Sequence, residues 1–152
     1  MKWVQQIKDL PPVRQKIIGG AFLFLLAVLV YPFQTTVVPA WNLQVVDEQG
    51  RKVSGINVTQ HWQHHSLESA GQEELQKTGE QGEVTFPARK IRASLLTRAF
   101  APTLKLLRNG GSAKLGAYAS VVVWGSKDNE TNVAVYNVGE PPPPQIVAAR
   151  LK

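Results

Sequence analysis

The chain contains no cysteine among its 152 residues and only one methionine. The absence of cysteine excludes a disulfide framework, a thiolate-ligated zinc or iron–sulfur centre, a thiol nucleophile and a lipidated cysteine. It leaves an extracytoplasmic location open, because disulfides are permitted there and not required. Charged residues make up only 18% of the chain and hydrophobic residues 43%, which is the composition of a chain that folds.

Charge is missing altogether from residues 17–33, which read IIGGAFLFLLAVLVYPF. A helix of this length is about 25 Å long, at the short end of what the hydrocarbon core of a bilayer requires. Residues 1–16 before it carry four basic side chains and one acidic, which is half of the net charge of +6. Basic residues hold their side of such a segment in the cytoplasm, so residues 34–152 are expected outside it. The prediction is a single-pass protein of the cytoplasmic (inner) membrane with a periplasmic or extracellular remainder.

Two other interpretations of the apolar segment remain open. A cleaved signal peptide would be cut before Trp41, since Val38 and Ala40 supply the small residues that such a site needs. A buried core helix is the third possibility. The length of the basic arm and the distance from Tyr31 to the cut favour an uncleaved anchor.

The residues after the apolar segment are typical of short strands separated by turns, which predicts an all-β domain. A spacer is expected over 34–40 and a β-sandwich over 41–139, followed by a proline-rich C-terminal segment over 140–152. About seven strands in this length predict a Greek-key sandwich. Residues 145–152 are either a last edge strand or a free tail.

The residue pattern predicts the secondary structure of some segments more clearly than that of others. Residues 56–62 alternate apolar and polar positions, with Gln60 as the exception on the apolar face. Residues 120–124 are rich in β-branched residues and indicate a buried central strand, and residues 125–131 suit a hairpin loop. Residues 91–100 fit either a strand or a helix, and a strand is favoured because predicted strands surround them. Residues 63–81 indicate a polar surface loop with one helical turn around 73–77.

Two segments, 43–62 and 78–89, resemble the carboxypeptidase regulatory-like, or transthyretin-like, β-sandwich family. That family has a strand, a D-x-x-G turn, a V-x-G-x-x-V strand and later a T-D-x-x-G-x-x-x-F turn and strand. The matching residues are Asp47, Gly50, Val53, Gly55, Val58, Thr78, Gly82 and Phe86. Gly79 stands where the family usually has aspartate. The resemblance implies a non-catalytic binding or spacing module, and the tail signature of the ring-hydrolysing branch is absent from this sequence.

Three histidines, His61, His64 and His65, fall within five residues. Imidazoles can share a metal ion when the fold brings them together, and a small metal-dependent enzyme would require that. On a strand, however, His64 and His65 point to opposite sides, so surface histidines are the preferred interpretation and no metal or cofactor is predicted. The sequence also contains no nucleophile elbow, zincin motif or P-loop, so no catalytic residue is assigned.

The basic residues Arg89, Lys90, Arg92 and Arg98 lie in a stretch without acids. Three interpretations are open. The basic residues form a solvated face, they bind anionic headgroups or an acidic partner, or they face the acidic residues of 68–83. Trp41 is either an interface anchor or the first residue of a strand, whereas Trp62 and Trp124 are expected in the core.

These residues are the candidates for interaction. The predicted function is an interaction or assembly subunit of an envelope complex, with membrane proteins and not nucleic acid as partners. The alternative is an exported ligand-binding module for glycan or peptide behind a cleaved signal peptide.

Overall fold

An apolar helix precedes the β-rich part of the chain. The structure is a computed structural model that describes residues 11–124 and 132–147. Helix α1 spans Pro12–Val30, begins with proline in its first turn and ends before Pro32. Proline is well suited to the first turn, where its missing N–H has no helical partner, and cannot continue a helix. At 1.5 Å per residue α1 is about 28 Å long, enough to cross a membrane. None of residues 12–30 is buried, so α1 is not a core helix.

Nine strands and a second helix follow α1 within the described residues. The elements in chain order are β1 (Phe33–Val38), β2 (Trp41–Val46), β3 (Asn57–His64), β4 (Gln72–Lys77), β5 (Glu83–Phe86), β6 (Arg89–Ala93), α2 (Leu95–Asn109), a short 3-10 turn (Gly110–Ser112), β7 (Ala117–Trp124), β8 (Asn132–Tyr136) and β9 (Gln145–Val147).

The strands form three sheets. The largest has four antiparallel strands in the order β4-β3-β7-β8, so β7 is an inner strand as its β-branched sequence predicts. A three-stranded sheet has the order β5-β2-β9, in which β9 runs parallel to β2. Strands β1 and β6 form an antiparallel pair. The predicted edge strand at the start of 145–152 is therefore present as β9.

One hydrophobic core joins these sheets. Strand β7 contributes Val121, strand β3 contributes Val58, and the opposite sheet contributes Trp41 and Phe86. Val38 of β1 is also fully buried in this core. Gln60 lies on the inner face of β3 as the alternation predicts, and it is fully buried.

The residues that carry the family resemblance meet at the junction of β2, β5 and the segment before β3. The Thr78 hydroxyl donates to the Val53 carbonyl at 2.8 Å and accepts from the backbone N–H of Ile56 at 3.0 Å. Gly82 has a φ of +71°, and a Cβ there would lie 2.6 Å from the Val45 carbonyl oxygen. Only glycine fits this close approach with a positive φ. Thr78 and Gly82 therefore have structural roles in this part of the fold.

Several expectations about individual segments are wrong. The 34–40 spacer is mostly strand β1, paired with β6. The 63–81 loop with a helical turn contains strand β4, which pairs along β3. The strand favoured over 91–100 ends at Ala93, and the chain enters α2 after the N-cap Ser94. The predicted β-rich fold behind an N-terminal apolar helix is confirmed, but the described residues contain nine strands and the additional helix α2, and β1 and β9 extend the domain beyond both ends of 41–139. The predicted basic arm up to residue 10, the hairpin loop 125–131 and residues 148–152 lie outside the described residues.

Candidate interaction surfaces

The three histidines do not converge. Within residues 11–124 and 132–147, no group of three metal-type side chains is close enough to hold an ion. His61 lies on the outer face of β3, where its Nδ1 is 3.4 Å from a Glu73 carboxylate oxygen. The ring of His65 stacks at a tilt near Tyr118, with centroids 5.7 Å apart. Each imidazole therefore has separate surroundings.

His64 is the last residue of β3, and the charges of Arg98 and Lys105 on α2 act on its imidazole. Its backbone N–H donates to the carboxylate of Glu68 at 2.5 Å. Its Nδ1 is buried and has no hydrogen-bond partner in the described residues. Partial burial lowers the pKa of the His64 imidazole, and the charges of Arg98 and Lys105 act in the same direction, against the backbone and Glu68. The fold therefore favours the neutral form of His64 relative to a free imidazole.

Arg89, predicted as an interaction residue, is a structural residue between the sheets. Its Nε donates to Gln60 Oε1 at 2.8 Å, and a terminal nitrogen donates to Glu74 Oε2 at 2.6 Å. The guanidinium carbon lies 3.9 Å from the centroid of the Trp62 ring. Hydrogen bonds from Gln76 and Arg89 lower the pKa of the Glu74 carboxyl. One basic residue thus faces the acidic segment 68–83, one of the arrangements that the sequence left open.

The other candidates of the basic stretch differ in their surroundings. Arg98 donates to the carbonyl oxygens of Ala93 at 3.2 Å and Phe33 at 3.0 Å, so it fastens α2 to the start of β1. Lys90 and Arg92 are exposed on β6 and share its outward face, two residues apart. Only these two side chains of the four are available as an exposed basic surface.

The three tryptophans of the described chain occupy three different environments. Trp41 is fully buried, and its indole N–H donates to the Pro143 carbonyl oxygen at 2.8 Å. It is the first residue of β2 and presents no surface to a partner. Trp62 is partly buried against the core under Arg89. Trp124, expected in the core, is 53% exposed instead.

Trp124 belongs to the outer face of the four-stranded sheet. Its indole N–H donates to the Thr59 hydroxyl at 2.8 Å across the strands. Leu75 lies on the other side of Thr59, because Thr59 pairs with Leu75 in the register of β3 and β4. Leu75 is 61% exposed. A surface cleft of about 390 Å³ separates these side chains, and Asn57 and Glu73 complete its lining.

The apolar side chains of this face continue onto β8. Val133 pairs with Val122 and so extends the cross-strand row that begins at Leu75 and Thr59. Val135 pairs with Ser120 and lies on the same face in the neighbouring row. Val133 and Val135 are exposed. We call this surface the outer sheet face and define it by Leu75, Trp124, Val133 and Val135. Sequence reasoning missed it because alternation alone does not show which face of a strand is covered.

Helix α2 carries a second apolar surface. Apolar side chains recur every three or four residues, as in an amphipathic helix. They are Leu95, Leu96, Ala99, Phe100, Leu104, Leu106 and Leu107. No residue of α2 is buried. Its basic residues Arg98 and Lys105 instead bond to the domain, Lys105 through the backbone carbonyl of His65. The helical spacing was the signal for this element in the sequence.

Comparisons with family models, with curated proteins and with solved structures give no significant match for this chain. The resemblance to the transthyretin-like family therefore stays a prediction. The function must therefore be inferred from the structure itself. Its main features are two exposed apolar surfaces, the outer sheet face and the apolar side of α2, and the apolar helix α1 that precedes them.

Proposed function

We propose that this chain is a single-pass protein of the cytoplasmic membrane whose exported β-rich domain is a non-catalytic interaction or assembly subunit of an envelope protein complex. The outer sheet face is the observation that carries this proposal. Tryptophan and aliphatic side chains exposed side by side are characteristic of protein–protein contacts, in which a few buried aromatic residues contribute most of the binding energy. Trp124 is already oriented by Thr59, so little ordering is needed when a partner covers it.

An uncleaved anchor is supported by the position of β1. Cleavage before Trp41 would remove β1 together with Val37 and Val38, both of which are buried in the core. Truncating buried aliphatic residues typically costs about 1–4 kcal/mol each, so the cleaved domain would lose much of its stability. The anchor and the domain are thus parts of one folding unit in this proposal. The basic arm before α1 supports an orientation with the N-terminus inside.

The finer fold assignment is also part of the proposal. We propose a transthyretin-like Greek-key β-sandwich. Its motif residue Thr78 bonds to the carbonyl of Val53, and Gly82 allows a close approach to the carbonyl of Val45. Domains of that family are usually appended to other proteins as binding or spacing modules. The motif residues act on the fold here, which agrees with a domain that binds rather than catalyses.

The test is purification of the full chain from its native membrane in mild detergent, with mass spectrometry of the proteins that copurify. We expect a stoichiometric set of envelope or membrane proteins with the wild-type chain. Leu75→Glu should reduce their recovery about tenfold or more, the equivalent of about 1.4 kcal/mol, because it places a charge in the contact. Val138→Glu is the matched control, since Val138 is exposed in a turn after β8. A lone monomer, or equal recovery with both variants, would contradict the proposal.

A second candidate function rests on the cleft beside Trp124. Asn57, Glu73 and an exposed indole are groups that bind a sugar or a peptide. The full chain in detergent should then show quenching of tryptophan emission by cell-wall fragments, and Trp124→Phe should abolish that quenching while leaving Trp41 and Trp62 in place. Unchanged emission at saturating fragment concentrations would remove this alternative.

A further inference from the structure

Helix α2 shows its charged side to the protein and its apolar side to the surroundings. Leu96, Phe100, Leu104 and Leu107 are spaced four, four and three residues apart and so form one stripe along the helix. Phe100 is 60%, Leu104 63% and Leu107 79% exposed. In water this arrangement would leave a continuous apolar stripe uncovered along a helix of about 22 Å.

Two contacts fix where this stripe lies. A terminal nitrogen of Arg98 donates to the carbonyl oxygen of Phe33 at 3.0 Å. Phe33 is three residues beyond Val30, where α1 ends, and β1 begins there. Cα atoms of α1 and α2 also come within 8 Å of each other. The start of α2 therefore lies beside the point where the chain leaves the apolar helix.

The far end of α2 is fixed by a different contact on the same polar side. The Lys105 ammonium donates to the backbone carbonyl of His65, at the end of β3. Arg98 and Lys105 are seven residues apart, so they lie on one side of the helix and hold that side against the domain. The apolar stripe must then face away from the β-rich part along its whole length.

We infer that α2 lies in the membrane interface, with its apolar stripe inserted among the lipid acyl chains next to α1. Helices of this kind have low net hydrophobicity, basic residues on one side and leucine and phenylalanine on the other, and they lie about 5–10 Å deep at the boundary of headgroups and acyl chains. The bilayer is the occupant favoured by the structure, because α1 brings lipid to the position where α2 begins. This inference rests on the membrane anchorage in the proposed function.

The consequence is a domain held in a defined orientation on the membrane. A single spanning helix alone would leave the domain free to pivot about residues 31–32, which join α1 to β1. With α2 embedded and bonded through Arg98 and Lys105, the β-rich part has two attachments to the bilayer. The outer sheet face is then presented at a constant angle to partners in the same membrane.

The absence of cysteine from the chain allows a direct test with single-cysteine variants. Leu104→Cys and Leu107→Cys place an environment-sensitive fluorophore on the apolar stripe, and Leu75→Cys is the control on the outer sheet face with a similar exposed fraction. The full chain is reconstituted in vesicles of phosphatidylcholine and phosphatidylglycerol. We expect blue-shifted emission at Leu104 and Leu107, quenching by lipids spin-labelled near the headgroup, and several-fold weaker quenching by aqueous iodide than at Leu75.

Iodide quenching at Leu104 and Leu107 as strong as at Leu75 would overturn the inference. Protection that disappears as protein is diluted into more lipid would also overturn it, because it would identify a second copy of the chain as the occupant. A label at Leu23→Cys in α1 separates the two proposals: if Leu23 is in lipid and α2 is not, only this inference fails. If neither is in lipid, the anchorage fails as well.

A second measurement uses the wild-type chain, so that a misfolded variant cannot affect its result. The wild-type chain in the same vesicles is irradiated with a photoreactive lipid, and the labelled residues are located by mass spectrometry. Labels on α2 and none on Leu75 support the inference. Labels on α1 alone would contradict it.

Discussion

The β-rich part of the chain and helix α2 distribute their apolar side chains in opposite ways. Val58, Val121 and Phe86 point into one core between the sheets, as expected of a protein part surrounded by water. In α2, Phe100 and Leu107 point outward while Arg98 bonds to the domain. The same hydrophobic effect gives both arrangements if the medium around α2 is lipid and the medium around the sheets is not.

The comparison also concerns how charge is used. In the β-rich part, Arg89 is held between Gln60, Glu74 and the Trp62 ring, so the charge is compensated inside the protein. In α2, Arg98 bonds only to backbone carbonyls in the contacts described, those of Ala93 and Phe33. The contacts of Arg89 stabilise the packing between strands, whereas those of Arg98 orient helix α2.

The largest difference in stability between the two regions is expected when one phenylalanine in each of them is replaced by alanine. Phe86→Ala removes a fully buried ring and should lower the free energy of unfolding by about 3–5 kcal/mol. Phe100→Ala removes an exposed ring and should change it in detergent by no more than about 0.5 kcal/mol. Urea titration of the full chain, followed by tryptophan emission, measures both. A large loss at Phe100 would show that α2 is packed in the fold and would break the comparison.

A second effect comes from two glycines with similar φ angles. Gly82 has a φ of +71° and Gly110, at the end of α2, a φ of +61°. A Cβ at Gly82 meets the Val45 carbonyl, whereas a Cβ at Gly110 meets nothing within 4 Å. Gly82→Ala should therefore cost about 2–5 kcal/mol, from backbone strain plus overpacking, and Gly110→Ala about 1–3 kcal/mol from strain alone, since its φ of +61° and ψ of −154° are adopted almost only by glycine. The same urea titration tests this, and equal losses would show that the close approach at Gly82 relaxes freely.

The sequence predicted the elements whose patterns are local. The β-branched residues of 120–124 predicted an inner strand, and the structure confirms it as β7. The D-x-x-G motif predicted a turn at residues 47–50, and Gly50 has a φ of +76° there. The charge-free segment 17–33 predicted a helix, and α1 covers Pro12–Val30. Each of these features depends on residues that are neighbours in sequence.

The elements that the sequence misled us about depend on tertiary contacts. Strand β4 reads QEELQK, in which only Leu75 is apolar, and its pairing with β3 overrides that composition. Arg89 looked like a surface charge because Glu74 and Gln60 are distant in sequence. Trp124 looked like a core residue because exposed tryptophan is unusual in a protein without a partner. Residues 91–100 fitted a helix as well as a strand, but the predicted strands around them favoured a strand.

A third and smaller effect is expected from the charge held between the sheets. Arg89→Met should lower the free energy of unfolding by about 1–3 kcal/mol, since it leaves the buried Gln60 oxygen without a donor and the Glu74 carboxylate with its bond from Gln76 alone. Lys90→Met is the matched control, because Lys90 is the exposed neighbour in β6 and should change stability by about 0.5 kcal/mol or less. Thermal or urea unfolding of both variants measures the difference. If the two substitutions cost the same, Arg89 is not a structural residue and becomes available again as an interaction residue.

The smallest effect concerns pH and tests the link between the β-rich part and α2. The pKa of His64 lies below its usual 6.5 in the folded protein, because of burial and the nearby Arg98 and Lys105. As pH falls through 6.5, the imidazole of His64 therefore becomes protonated in the unfolded chain before it does so in the folded protein. The free energy of unfolding declines until the pH passes the pKa that His64 has in the folded protein. Glu74, whose pKa is lowered, loses its stabilising contribution only below its usual 4.5, so it does not contribute to the pH dependence near neutral pH.

His64→Gln should flatten the decline near neutral pH, and His61→Gln, at an exposed site facing Glu73, should leave the His64 contribution in place. Urea midpoints of the three proteins between pH 5.5 and 7.5, at constant ionic strength, measure this. If His64→Gln leaves the pH dependence as steep as in the wild type, then the His64 imidazole is not buried in solution as it is in the structure, since burial is the main cause of its lowered pKa. The packing at the end of β3, where Lys105 of α2 bonds to the carbonyl of His65, would then differ from the arrangement described.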